Sequence, residues 1–186
     1  DLSEEAPFML VLQHSDSTVS HRAADQMAET VAAVVATGHR AMLVYPCSDQ
    51  GFEGIISEIE RVADSPGLSV HRNIPAADFI GLEKLAACIV GNSSAALIEA
   101  PYFGLPSVNI GERQKGRERA ANVMDVDYDR DAIRTAIDRC VSDEEFRQRL
   151  RDVQPPFGDG TAYRRITDVL ATVVVDQNLL NKRMTY

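Results

Sequence analysis

Residues 88–101 read CIVGNSSAALIEAP. A short apolar run leaves through four small or polar residues and enters a helix-like run broken only by Glu99. Uninterrupted apolar residues mark a strand buried on both faces, whereas a one-sided strand alternates apolar with polar. The same strand-then-helix unit repeats on either side. Upstream, strands at 8–12 (FMLVL), 41–45 (AMLVY) and 68–71 alternate with helices at 19–37, 51–63 and 76–86, and Gly38 stops the first helix. Downstream, a helix starting at Ser93 leads to strands at 106–110 and 122–126, then helices at 130–141 and 143–151. This order predicts an α/β fold, a Rossmann-like parallel sheet with helices on both faces. Residues 1–157 form that domain. Beyond the break PPFGDG at 155–160, residues 158–186 carry one further helix over 161–178.

The 186 residues suffice for a real core. An apolar fraction of 45% with 25% charged residues belongs to a globular chain, and a net charge of -9 argues against a nucleic-acid binder. No apolar run approaches the roughly 20 residues that span a bilayer, and no signal peptide leads the chain. Cys47, Cys88 and Cys140 are odd in number and far apart, which points to a reducing cytoplasm rather than a disulfide framework. His21, His39 and His71 are not grouped with other ligands, so no metal is expected. No cofactor is expected either, because GxGxxG and GxxxxGK[ST] are both absent. The first residue is Asp1, not Met, and the chain reads as a fragment of a longer protein.

Ligands of open α/β sheets bind outside the carboxyl ends of the strands. Ser93 and Ser94 stand there at a helix start, where serine either caps the orphan amides or joins them in holding an anion such as phosphate. Glu99 follows in so apolar a segment that its carboxylate must reach a rim or find a partner. Two readings stay open for it: a ribose-diol acceptor or an arginine salt bridge. Arg113 opens a run of four basic residues at 113–119, directly after a strand, and is read as a phosphate or ribose contact. Arg117 and Arg119 read as a solvated face. His14, also at a strand end, is suited to donate to phosphate or to move a proton.

GNSS at 91–94, EAP at 99–101, FGLPSVNIG at 103–111 and RQKGRE at 113–118 together resemble the carboxyl-terminal half of UDP-N-acetylglucosamine 2-epimerases. GNSS and RQKGRE point to the hydrolysing, sialic-acid-pathway branch. His14, YPCSDQG at 45–51 and FGDG at 157–160 extend the likeness over about residues 8–173. The resemblance implies the second Rossmann-like domain of a GT-B fold, with the final helix crossing back toward a first domain absent from this chain. It implies that Ser93 and Ser94 hold a diphosphate, Glu99 the ribose, Arg113 and His14 the nucleotide, and backbone near Ile74 the base. Cys47, where relatives often carry asparagine, belongs to the same contact set. The implied reaction converts UDP-N-acetylglucosamine and water to N-acetylmannosamine and UDP, through elimination of UDP to a glycal. The family's catalytic acids lie in the first domain, so only His14 is an auxiliary catalytic candidate, and the isolated chain is expected to be inactive. The expected partners are UDP or UDP-N-acetylglucosamine and the amino-terminal domain, with no nucleic acid and no membrane. A homo-oligomer, an allosteric site and a GDP-linked substrate stay open. The alternative is a stand-alone nucleotide-binding regulatory module without turnover. A glycosyltransferase half shares the architecture but has no need of RQKGRE.

Overall fold

The computed structural model describes residues 7–181. Six strands form one sheet: β1 (Phe8–Leu12), β2 (Arg40–Val44), β3 (Leu68–His71), β4 (Cys88–Gly91), β5 (Ser107–Ile110) and β6 (Val123–Val126). They lie in the order β3-β2-β1-β4-β5-β6, and every pair is parallel. That is the doubly wound Rossmann order, whose connections reverse between β1 and β4 and open a crevice there. The register pairs Leu12 with Gly91, so the segments leaving both strands emerge side by side. Gly91 is required: its φ is +132°, and a Cβ there would lie 2.0 Å from the Leu12 carbonyl oxygen.

Strand alternation divides the core. Met9, Val11, Cys88, Val90, Val108 and Ile110 face α1 (Ala23–Thr37), α2 (Phe52–Arg61), α5 (Arg130–Ser142) and α6 (Glu144–Leu150). Phe8, Leu10 and Ile89 face α3 (Ala76–Leu85) and α4 (Ala95–Ile98). Asp129 caps α5 through the Ala132 amide, and Asp143 caps α6 through that of Phe146. Cys47, Cys88 and Cys140 are free thiols.

Three helices depart from the sequence expectation. Residues 17–22 form a 3₁₀ turn capped by Asp16, with non-helical geometry at Val19, and the α-helix begins only at Ala23. The run after Ser93 yields one α turn and then a 3₁₀ turn, Ala100–Phe103, because Pro101 has no N–H to continue the ladder. The expected tail helix is two, α7 (Ala162–Thr172) and α8 (Gln177–Leu180). Val173 turns extended after α7, and Asp176 starts a new helix by accepting from the Asn178 and Leu179 amides.

The chain divides into a unit ending at Pro156 and a second from Phe157. In the second unit, α7 exposes Tyr163, Ile166, Val169 and Leu170 at helical spacing. No helix among the described residues is long and apolar enough to cross a membrane.

Candidate functional site

A cavity of about 490 Å³ opens at the carboxyl ends of β1, β2 and β4. Leu12 and Val44 form its strand side; Ile74, Pro75 and Phe79 form the side at the start of α3. Ser93, Ser94, Ala95 and Glu99 close it. Four sequence candidates, Ile74, Ser93, Ser94 and Glu99, therefore share one wall system.

The two serines divide the two readings made for them. Ser93 is buried, and its Oγ accepts from the Ala95 amide at 3.4 Å, a weak cap. Ser94 is half-exposed, and its side chain makes no cap hydrogen bond. Among the described residues the Ser93 and Ser94 amides have no acceptor, so two adjacent N–H donors and one hydroxyl stand unspent on residues that line the cavity. With α4 only four residues long, its dipole adds little, and these discrete donors are what an anion would meet. Glu99 is exposed and forms no ion pair among the described residues; partial burial raises its pKa above the ordinary carboxylate value.

The other three candidates, His14, Cys47 and Arg113, form a separate cluster joined to the cavity through Asn92. Asn92 is fully buried, accepting from the His14 amide at 2.7 Å and donating back to the His14 carbonyl at 2.9 Å. The Asn92 carbonyl accepts from Arg113 Nη1 at 3.2 Å and from Gln114 Nε2 at 2.7 Å. This single residue thus ties the segments after β1 and β5 to the turn that leads into Ser93. Across the cluster, Asp49 Oδ2 lies 3.5 Å from Arg113 Nη2 and 3.1 Å from Cys47 Sγ.

His14 has a defined tautomer. Its Nδ1 accepts from the Cys47 amide at 3.1 Å, so the neutral ring carries its proton on Nε2 and keeps a donor for a ligand. Burial and then the Arg113 charge lower its pKa, with Asp49 opposing, so the ring is neutral at pH 7. Burial and the hydrogen bond to Asp49 raise the Cys47 pKa, leaving a thiol rather than a nucleophilic thiolate.

Sequence reasoning gave Asn92, Gln114 and Asp49 no role of their own. Asn92 and Gln114 sat inside the quoted motifs, yet nothing local shows that one amide will satisfy two strands. Glu83 was missed altogether. It is the buried residue of α3, 1% exposed, and neither carboxylate oxygen has a hydrogen-bond partner among the described residues. Burial, with the Glu99 charge adding to it, raises its pKa to about 8, so it is a neutral acid at pH 7. No group of three or more His, Cys, Asp or Glu among the described residues is arranged to hold a metal.

A family model described as UDP-N-acetylglucosamine 2-epimerase matches residues 2–171. Among curated proteins, the chain is 31% identical over 161 residues to a UDP-N,N'-diacetylbacillosamine 2-epimerase (hydrolyzing) from Legionella pneumophila. That match covers 87% of the chain and 41% of the relative. It is 32% identical over 133 residues to a UDP-N-acetylglucosamine 2-epimerase from Neisseria meningitidis, covering 72% of the chain and 35% of the relative. The chain therefore spans about two fifths of the length of the first and about one third of the second. Among solved structures, a UDP-GlcNAc 2-epimerase from Neisseria meningitidis bound to UDP-GlcNAc superposes with a TM-score of 0.76 at 14% identity. It covers 92% of the chain and 46% of that structure, a likeness of fold.

Proposed function

The chain belongs to the UDP-N-acetylglucosamine 2-epimerase family, and on that premise we propose that it is the nucleotide-sugar-binding carboxyl-terminal domain of a hydrolysing member. The observation that carries this reading is the junction at Asn92. It sets a cavity with unspent donors and a ribose-ready carboxylate beside a cluster holding a cation and an imidazole donor. In this reading the base lies against Ile74 and Phe79, and the Glu99 carboxylate accepts from the ribose diol. The amides of Ser93 and Ser94, the Ser94 hydroxyl, Arg113 and His14 Nε2–H hold the diphosphate. Donors fixed before the reaction stabilise negative charge as the diphosphate departs, and that is this domain's contribution to catalysis. Cys47 contributes its backbone amide, which fixes the His14 tautomer.

The proposed reaction is UDP-N-acetylglucosamine plus water to N-acetylmannosamine plus UDP, in the sialic-acid branch and in the cytoplasm. The Legionella relative's name carries a different sugar on the same nucleotide, and the residues assigned here hold the nucleotide common to both. Removing the sugar C2 proton calls for carboxylates beyond this site, proposed to come from an amino-terminal domain on which the apolar face of α7 packs. Calorimetry with UDP, GDP and CMP tests the binding. UDP is expected to bind weakly, and the double variant Ser94→Ala/Arg113→Ala to lose binding. No binding by the wild type, or unchanged binding by the double variant, would sink the site. Turnover separates the two functional readings: adding an amino-terminal half of a relative should restore release of N-acetylmannosamine. Persistent UDP binding without turnover under those conditions favours a regulatory binding module.

A further inference from the structure

Tyr128 touches both halves of the Asn92 junction, and the nucleotide reading makes no use of it. Its place is set by the backbone on either side. The Gly111 amide donates to the Val126 carbonyl at 2.8 Å, and the Asp129 amide donates to the Asp127 carbonyl at 2.8 Å. Asp129 then caps α5 through the Ala132 amide. Tyr128 stands at the centre of that turn, half-buried and packed against the larger core cluster. Its ring lies against Gly111. A Cβ there would come within 2.3 Å of Tyr128 Cε2 and 2.8 Å of the hydroxyl oxygen, and the φ of +72° disfavours any side chain as well.

The hydroxyl serves the other half. Asn92 Nδ2 donates to the Tyr128 hydroxyl at 3.3 Å and to the His14 carbonyl at 2.9 Å, which engages both of its N–H bonds. Asn92 is 0% exposed, so water cannot replace the phenol as acceptor, and losing the hydroxyl would orphan a buried donor. Burial pushes the phenol pKa above its ordinary value, which keeps the hydroxyl neutral where nucleotides are bound. One side chain therefore bears on two segments. Gly111 opens the loop that carries Arg113 and Gln114, whose side chains donate to the Asn92 carbonyl. The Asn92 carboxamide in turn holds the backbone of His14.

We propose that Tyr128 is a positioning residue: its hydroxyl on Asn92 and its ring on Gly111 set His14 and Arg113 relative to one another, and so the grip on the outer phosphate of a nucleoside diphosphate. The phosphate part rests on the nucleotide reading, in which His14 and Arg113 stand outside the cavity that takes the ribose. Calorimetry with UDP and UMP, and amide hydrogen exchange of the free chain, provide the test. Tyr128→Phe keeps the ring against Gly111 and removes only the oxygen. It should weaken UDP roughly fivefold and UMP by less than about twofold, a split that a general loss of stability would not produce. Without ligand, the His14 amide, held by Asn92 Oδ1, should exchange roughly fivefold faster in the variant. The amides of Leu10 and Ile89, in the strands behind it, should keep their wild-type rates. Equal losses for UDP and UMP, undiminished UDP binding, an unchanged His14 rate, or faster exchange at Leu10 and Ile89 as well would overturn the assignment. A wild type that binds neither nucleotide would overturn the nucleotide reading and the phosphate role with it. The exchange rates alone then decide whether Tyr128 holds the junction.

Discussion

On the α1, α2, α5 and α6 side of the sheet, 21 buried apolar residues join in one cluster; on the α3 and α4 side the cluster holds eight among the described residues. The first side is closed by three long helices with Ile55, Ile59, Ile133 and Ile137 fully buried. The second is covered by α3, whose one buried side chain is Glu83, and by a single turn of α4. The candidate nucleotide cavity opens on the thin side. A packed face sets the strand ends in register, and a sparse face leaves room for a ligand between them.

The largest effects should separate the faces by stability. Ile137→Ala empties a fully buried site on the thick side and should cost about 3–5 kcal/mol in urea unfolding. Leu82→Ala, half-buried on α3, should cost roughly 1–2 kcal/mol. Equal losses would show that the thin side is packed as tightly as the thick one.

Glu83 sharpens the contrast in the opposite direction. Folding lifts its pKa from 4.5 to about 8, so across that interval the native state holds a proton that the unfolded chain has released. The stability is complete below pH 4.5 and is lost as pH rises toward 8, by about 1.4 kcal/mol per pH unit at the limit. Glu83→Leu should therefore stabilise the chain by about 2–3 kcal/mol at pH 7 and flatten the stability profile between pH 5 and 8. A destabilised Glu83→Leu, or an unaltered profile, would mean that the carboxylate has a partner which the buried geometry does not provide.

Within the site, the comparison runs between the cluster and the cavity. Arg113→Ala removes a cation held by the Asn92 carbonyl and Asp49, and should weaken UDP by roughly 10- to 100-fold, the worth of one or two charge-assisted hydrogen bonds. Glu99→Gln keeps one acceptor oxygen and should weaken UDP by about fivefold. The same calorimetric titration reads both. A larger loss at Glu99 would move the main anchor from the diphosphate to the ribose.

Much of this organisation was legible in the chain. The strands were, because continuous runs such as CIVG and FMLVL have few other uses. So were the cavity residues Ser93, Ser94 and Glu99, since strand ends locate the crevice of a parallel sheet, while Ile74 entered only through the family resemblance. Asn92 was hidden as a hub because its partners His14, Arg113 and Gln114 come from two other strand ends. Glu83 was hidden for a different reason: in the sequence AADFIGLEKL it reads as the polar face of a surface helix, and only the rotation of α3 turns it inward. The tail misled through composition, because Val173, Val174 and Val175 continue the apolar pattern while the backbone breaks before Asp176.

The smallest effect tests the protonation states that distinguish the two regions. In the free chain, burial and Arg113 hold the His14 pKa below 6.5, whereas burial holds Glu99 above 4.5. A diphosphate beside His14 favours the imidazolium and lifts the pKa back, so binding takes up a fraction of a proton just below neutrality. UDP affinity should then rise severalfold as pH falls from 7 toward 6, and decline at lower pH as Glu99 and the phosphate itself become protonated. Titrations in buffers of different ionisation enthalpy measure the uptake directly. His14→Gln should lose the His14 share of that uptake while keeping a side-chain donor, and so most of the affinity at pH 7.5. Uptake that survives in His14→Gln would assign the proton to the ligand or to Glu99, and would place the diphosphate away from the β1 end.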